Sequence, residues 1–155
     1  MNLSFAPVVQ SDFEALFDLR IAAMRQSLER LGIFNLDHAR TRFQSQFDPQ
    51  YMQHICVDAG AGAGLERAGL LTVVPYHDGR LKLQHLYLLP AWHNRRIGDW
   101  ALQQVQDRAQ REGRAVWLEV LNHSDAIRFY ERHGFVHIGG DPIDLLYQWC
   151  PAQGM

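Results

Sequence analysis

The sequence predicts an α/β sandwich, a mixed sheet with helices on both faces. Three observations predict it. Strand-like and helix-like periodicities alternate from end to end, in the order β-α-α-β-β-β-α-β-α-β-β. Capping residues stand where helices should start and stop. No linker, repeat or shift in composition divides the 155 residues, so a single domain is expected over 1–155. With 47% apolar and 21% charged residues, the chain can bury one sizeable core.

Residues 3–9 read as a first strand, and Pro7 points to a sheet edge. Ser11 and Glu14 have capping-box spacing. Phe13, Leu16, Phe17, Met24, Leu28 and Leu31 then recur at helical spacing, up to Gly32. Asn35 can cap a second helix, with Leu36, Ala39, Phe43 and Phe47 as its apolar stripe and Asp48-Pro49 as its stop. Strands are expected at 54–59, 69–76 and 81–89. The stretch AGAGAG, 59–64, leads toward a strand and not a helix, so it reads as a flexible hairpin loop, not a phosphate loop. His77-Asp78-Gly79 is a second tight turn. A third helix starts near Gly98, buries Ala101, Leu102, Val105 and Ala109, and ends at Gly113. AVWLEVL, 115–121, is a strand; Ser124 and Gly134 bracket a short helix; two strands follow near 135–139 and 144–149.

Several function classes are disfavoured. A net charge of −2 gives no basic field to hold nucleic acid. No apolar run approaches the length of a membrane span, and MNLSFAPVVQ lacks the marks of a signal peptide. Cys56 and Cys150 lie in apolar stretches and read as reduced, buried, structural thiols. The expected address is therefore cytoplasmic. No metal site is expected: His133 and His137 are four apart, but a Gly-Phe turn separates them.

The chemistry concentrates in residues 81–135. The loop LPAWHNRRIG, 89–98, carries an asparagine and two arginines directly before a helix N-terminus. Free backbone N–H groups and the positive end of the helix dipole meet there, and Arg95 and Arg96 add donors. It is either a pyrophosphate site or a solvated basic loop.

Here the sequence resembles the GCN5-related N-acetyltransferase (GNAT) family. The resemblance lies in LQHLYLLPAW, HNRRIGDWAL and VWLEVLNHSDAIRFYERHGF, with a similar element order throughout. It implies a GNAT-like acyl-CoA N-acyltransferase fold with a mostly antiparallel sheet. It also implies acetyl-CoA as co-substrate and an amine, of a small molecule or a peptide, as acceptor. The family's pyrophosphate loop falls on His93, Asn94, Arg95, Arg96, Ile97 and Gly98, with Asp99 following. His93 replaces the usual Gln or Arg, and Arg96 replaces a glycine that would permit positive φ. The loop is therefore expected to be reshaped, with the Arg96 guanidinium reaching a phosphate directly.

The resemblance also assigns roles. Tyr130 is the general acid for the departing thiolate; a phenol of pKa about 10 stays protonated and lies above a thiol of about 8.5. Its alternative is a ring packed on the sheet. The main chain at Leu86 and Leu88 should hold the pantetheine arm and the thioester oxygen, with both side chains in the core. Asn122, His123 and Ser124 all fit the position of an arm-binding side chain, although Ser124 also suits helix capping.

Two residues are candidates for the base. His85 shares a strand face with Leu81, Leu83 and Tyr87, where burial would keep it neutral. It is either a proton acceptor or a histidine satisfied by hydrogen bonds in the sheet. Glu119 alternates with Trp117 and Leu121; it is either a carboxylate among apolar groups or a partly exposed strand glutamate. If neither acts, solvent takes the proton. Direct transfer in a ternary complex is preferred to a cysteine-linked route. A non-catalytic acyl-CoA-binding or sensing module is the alternative, and a plain interaction domain is a third. Met24, Phe34, Phe47, Tyr76, Tyr147 and Trp149 are acceptor-pocket walls or simply core. An edge strand at the C-terminus can support a homodimer.

Overall fold

A computed structural model of the chain describes residues 1–60, 62 and 64–153. It contains β1 (Asn2–Pro7), α1 (Phe13–Arg30), α2 (Leu36–Gln46), β2 (Met52–Asp58), β3 (Leu65–Pro75) and β4 (Leu81–Leu88). Then come α3 (Ile97–Glu112), β5 (Val116–Leu121), α4 (Ala126–Arg132), β6 (Val136–Gly140) and β7 (Asp144–Trp149). The seven strands hydrogen-bond in the order β1-β2-β3-β4-β5-β7-β6. Pairs β1–β2, β2–β3, β5–β7 and β6–β7 are antiparallel, whereas β4–β5 is parallel. The parallel ladder is short, joining Leu81 to Val116 and Lys82 to Trp117. The fold is therefore the mixed, mostly antiparallel α/β type expected. The chain divides into two compact units, Met1–Thr72 with His85–Ala101, and Val73–Gln84 with Leu102–Met155.

In the first unit, Leu16, Phe17 and Leu19 of α1 and Ala39 and Phe43 of α2 are buried with Val8, Met52 and Leu70. Phe13 meets Phe43 and Phe47 at ring distances of 5.6 and 5.2 Å. Asn35 caps α2 as expected, its Oδ1 accepting the His38 N–H at 3.0 Å. The start of α1 differs from the capping-box expectation. A 3-10 turn over Gln10–Asp12 precedes it, and Asp12 Oδ2 accepts the Val9 N–H at 2.9 Å. Glu14 instead pairs with Arg40. Asp12 is the better acceptor because its short carboxylate reaches back to the N–H that opens the turn.

Asp12 also anchors a cluster that joins buried His54 to exposed Arg67. Its Oδ2 accepts from His54 Nε2 at 2.9 Å and its Oδ1 from Arg67 Nη1 at 3.0 Å. β2 and β3 pair antiparallel on either side of the AGAGAG stretch, as a hairpin requires. Within it, Ala61 and Ala63 lie outside the described residues, so the expected flexible loop is not described there.

In the second unit, the turn at 77–79 forms as expected, with the Tyr76 N–H on the Arg80 carbonyl at 2.8 Å. Gly113 (φ 66°) and Gly134 (φ 89°) close α3 and α4 in left-handed positions that suit glycine. Three expectations need correction. Cys150 is exposed, and only Cys56 is the buried thiol expected of both. β3 begins at Leu65, before the expected 69, because its polar start still pairs with β2. The last strand, β7, lies between β5 and β6, so the edge near the C-terminus is β6. Among the described residues no helix is long and apolar enough to cross a membrane.

Candidate active site

In the first unit, β4 runs into the loop and then into α3. Alternation along β4 buries Leu81, Leu83 and His85 and leaves Leu86 and Leu88 half-buried on the other face. The two leucine side chains thus differ from the core position expected of them. The loop is fixed at its start by the Leu89 N–H on the Ala68 carbonyl at 2.8 Å. His93 Nε2 donates back to the Leu88 carbonyl at 2.9 Å, so this ring holds the turn. The Arg95 guanidinium lies 5.0 Å from the Trp92 ring centre.

Asn94 and Arg96 have φ of 62° and 63°. The loop is therefore not reshaped around Arg96 as expected. The arginine takes the left-handed conformation that glycine would hold, at a cost of about 1–2 kcal/mol. Its carbonyl accepts the Trp100 N–H at 3.1 Å, the first bond of α3. The N–H groups of Ile97 and Gly98 come earlier in that first turn and have no acceptor within the helix. Asp99 sits beside them, half-buried. Exposed Asn94, Arg95 and Arg96 surround this start of a 16-residue helix. Two left-handed residues, two guanidiniums and a helix N-terminus suit an anionic phosphate group.

His85 is 1% exposed, and both ring nitrogens are engaged. Nδ1 lies 2.9 Å from Thr72 Oγ1 and Nε2 lies 3.0 Å from Gln46 Oε1. An amide oxygen only accepts, so Nε2 carries a proton and Nδ1 takes the Thr72 hydroxyl proton in the neutral ring. The Phe43 ring covers it at 5.2 Å. These contacts match the histidine satisfied within the sheet, not the free proton acceptor.

The remaining expected residues lie in the second unit. Tyr130, on α4, is 8% exposed, its ring packed edge-on against Phe129 and Phe135 at 5.2 and 5.6 Å. Glu119 is exposed and pairs with Lys82 at 3.0 Å, so of its two readings the partly exposed strand glutamate is the one observed. Lys82 reaches it from the paired strand while covering Trp117 at 4.7 Å. Asn122 Nδ2 donates to the Pro142 carbonyl at 3.1 Å, and Ser124 Oγ accepts the Ala126 N–H at 3.1 Å. Both side chains thus have structural duties, while His123 is exposed at φ 67°. Among the described residues no group of three or more His, Cys, Asp or Glu could hold a metal ion.

Sequence reasoning passed over Arg20, 7% exposed and donating from Nη1 to the Tyr87 hydroxyl at 3.0 Å. The signal was present: Arg20 occupies a slot in the apolar stripe of α1, four residues after Leu16 and four before Met24. It also passed over Thr72 and Gln46, whose roles depend on packing across elements.

A mixed α/β fold with a basic, left-handed loop before a long helix suits the class of proteins that hold a phosphorylated co-substrate. The particular family follows from comparison: the chain belongs to the GNAT acetyltransferases, its residues 51–137 matching the Acetyltransferase (GNAT) domain. Acetyl-CoA is the co-substrate of that class. No curated protein sequence matches the chain. Solved structures share its fold. The PaiA N-acetyltransferase of Thermoplasma acidophilum, in complex with coenzyme A, is 16% identical over 97% of this chain and 99% of its own, with a TM-score of 0.71. An acetyltransferase of Thermus thermophilus is 20% identical over 97% of both chains, with a TM-score of 0.70. The ribosomal-protein-S18-alanine N-acetyltransferase of Escherichia coli is 16% identical over 99% of this chain and 97% of its own, also at 0.70.

Proposed function

We propose that the whole chain is one N-acetyltransferase domain that moves the acetyl group of acetyl-CoA to a primary amine by direct transfer in a ternary complex. The conformation of the loop before α3 carries this reading. Asn94 and Arg96 hold left-handed backbone angles without glycine, a strain that cradling a pyrophosphate would justify. Past Lys82, the main chain of β4 lies outside the parallel ladder, where Leu86 and Leu88 can bond the pantetheine arm and the thioester oxygen.

In the reaction, the amine nitrogen attacks the thioester carbonyl. A C–N bond forms, the C–S bond breaks, and the thiolate takes its proton from Tyr130. Before the attack the acceptor's ammonium loses one proton to water, from which Glu119 can accept it at the exposed surface of β5, and the proton that the nitrogen sheds after the attack returns through water to Tyr130. His85 holds the strand in place rather than shuttling protons, because both its nitrogens are committed.

Calorimetric titration with acetyl-CoA tests the premise. Micromolar binding is expected, weakened at least tenfold in an Arg95→Ala, Arg96→Ala double variant by the loss of two charge-assisted contacts. Absence of binding up to millimolar co-substrate would remove both the enzyme and the acyl-CoA-sensing alternative. Tight binding without acetylation of any amine would favour the sensing module.

A further inference from the structure

Arg20 is a guanidinium in a core that offers it no counter-ion among the described residues. It stands on the buried face of α1, 7% exposed, with its Cζ 5.8 Å from the Phe43 ring centre. Among the described residues no acidic side chain pairs with it. Its one hydrogen bond runs from Nη1 to the Tyr87 hydroxyl, and its Nε is buried with no acceptor. A guanidinium carries five N–H donors and keeps its charge at any pH a folded protein meets. Burying it beside aromatic rings without an anion is costly, and leaving a donor unpaired adds to that cost. Nη1 is committed to Tyr87. The unspent Nε–Nη2 edge is the planar fork that meets a carboxylate side-on, one oxygen on each nitrogen.

Tyr87 completes the arrangement. Burial pushes its phenol up from the ordinary value, against the pull of Arg20, so it stays neutral. It therefore gives Arg20 no negative charge. Its oxygen accepts from Arg20, and its O–H remains as a further donor. Tyr87 also stands two residues after His85 on β4, with the rings 5.6 Å apart, and Leu86 and Leu88 flank it in sequence.

We propose that Arg20 and Tyr87 form a carboxylate-binding site for the acceptor, so that the amine acetylated by this protein also carries a carboxylate group. The inference rests on the acetyltransferase function proposed above. A carboxylate fits better than a phosphate dianion, because one planar fork and one hydroxyl match two oxygens.

The test compares matched acceptors, a set of free amino acids and their carboxamides, by thiol release. The wild type should prefer the carboxylates by roughly 10- to 100-fold in kcat/KM, the worth of one or two hydrogen bonds to a charge. Arg20→Met should collapse that preference toward one, mainly through KM, and Arg20→Lys should restore part of it. Acetyl-CoA titration of each variant reports separately whether the fold and the co-substrate site persist. Equal rates on both members of the pairs, or a preference that survives Arg20→Met, would overturn the site. If no amine is acetylated, the proposed function fails by itself. Calorimetry of an amino acid into the CoA-bound protein then decides the site: binding lost in Arg20→Met upholds it, and no binding overturns it.

Discussion

Tyr130 is the residue on which the proposed chemistry turns most sharply. Its ring is locked between Phe129 and Phe135, so Tyr130→Phe removes one hydroxyl and leaves the packing almost unchanged. A structural tyrosine would tolerate this. An acid would not, because the thiolate must then take its proton from water. The expected result is a fall in kcat of about 100-fold, the lower end for a positioned proton donor, with KM for acetyl-CoA little altered. Steady-state thiol release measures both. An unchanged kcat would remove Tyr130 from the mechanism. Arg96 makes a different point at the same scale. Its sequence position spoke against a left-handed residue, yet the loop keeps that conformation. A propensity is a cost, and the loop bears it.

Among the elements, the β3–β4 pair depends on a glycine. A Cβ on Gly69 would strike the Tyr87 carbonyl oxygen and stand 2.8 Å from Leu88 Cδ2. The backbones approach closely there, just where Tyr87 and Leu88 leave β4 for the loop. Gly69→Ala should therefore force the strands apart, costing about 1–3 kcal/mol as overpacking does. Urea unfolding would show it, and an unchanged midpoint would mean that the strands yield freely. Most elements were legible in the sequence because period, caps and turn glycines agree locally: Asn35 does cap α2, and 144–149 is the strand observed. Partnerships across elements were not legible. Nothing local to His85 announces Thr72 and Gln46. The alternation of Glu119 with Trp117 and Leu121 left its surroundings open, and the Lys82 that pairs with it comes from another strand. The site's outline lay in motifs, and its bonding lay in packing.

For the molecule as a whole, acid sensitivity follows from Asp12. The Val9 N–H and the His54 ring, with Arg67 beside them, hold its carboxyl down to about 2, against an ordinary 3.8. The native state thus releases this proton more readily than the unfolded chain does. The resulting stabilisation is complete above the unfolded value, from about pH 5 upward, and drains away as pH falls toward 2. With a side chain only 10% exposed, the shift corresponds to about 2 kcal/mol. Other carboxylates titrate over the same range, Asp78 and Asp141 among those held low, so the loss in the wild type alone cannot be assigned. The difference between the wild type and Asp12→Asn can, because the amide has no proton to gain there. Urea unfolding of both at pH 6 and pH 2.5 should show the wild type losing more stability than the variant, by about 1–2 kcal/mol. Equal losses would mean that the cluster at Asp12 positions the start of α1 without storing charge energy. A larger loss would mean that protonating Asp12 also releases His54 and Arg67 from one cooperative network.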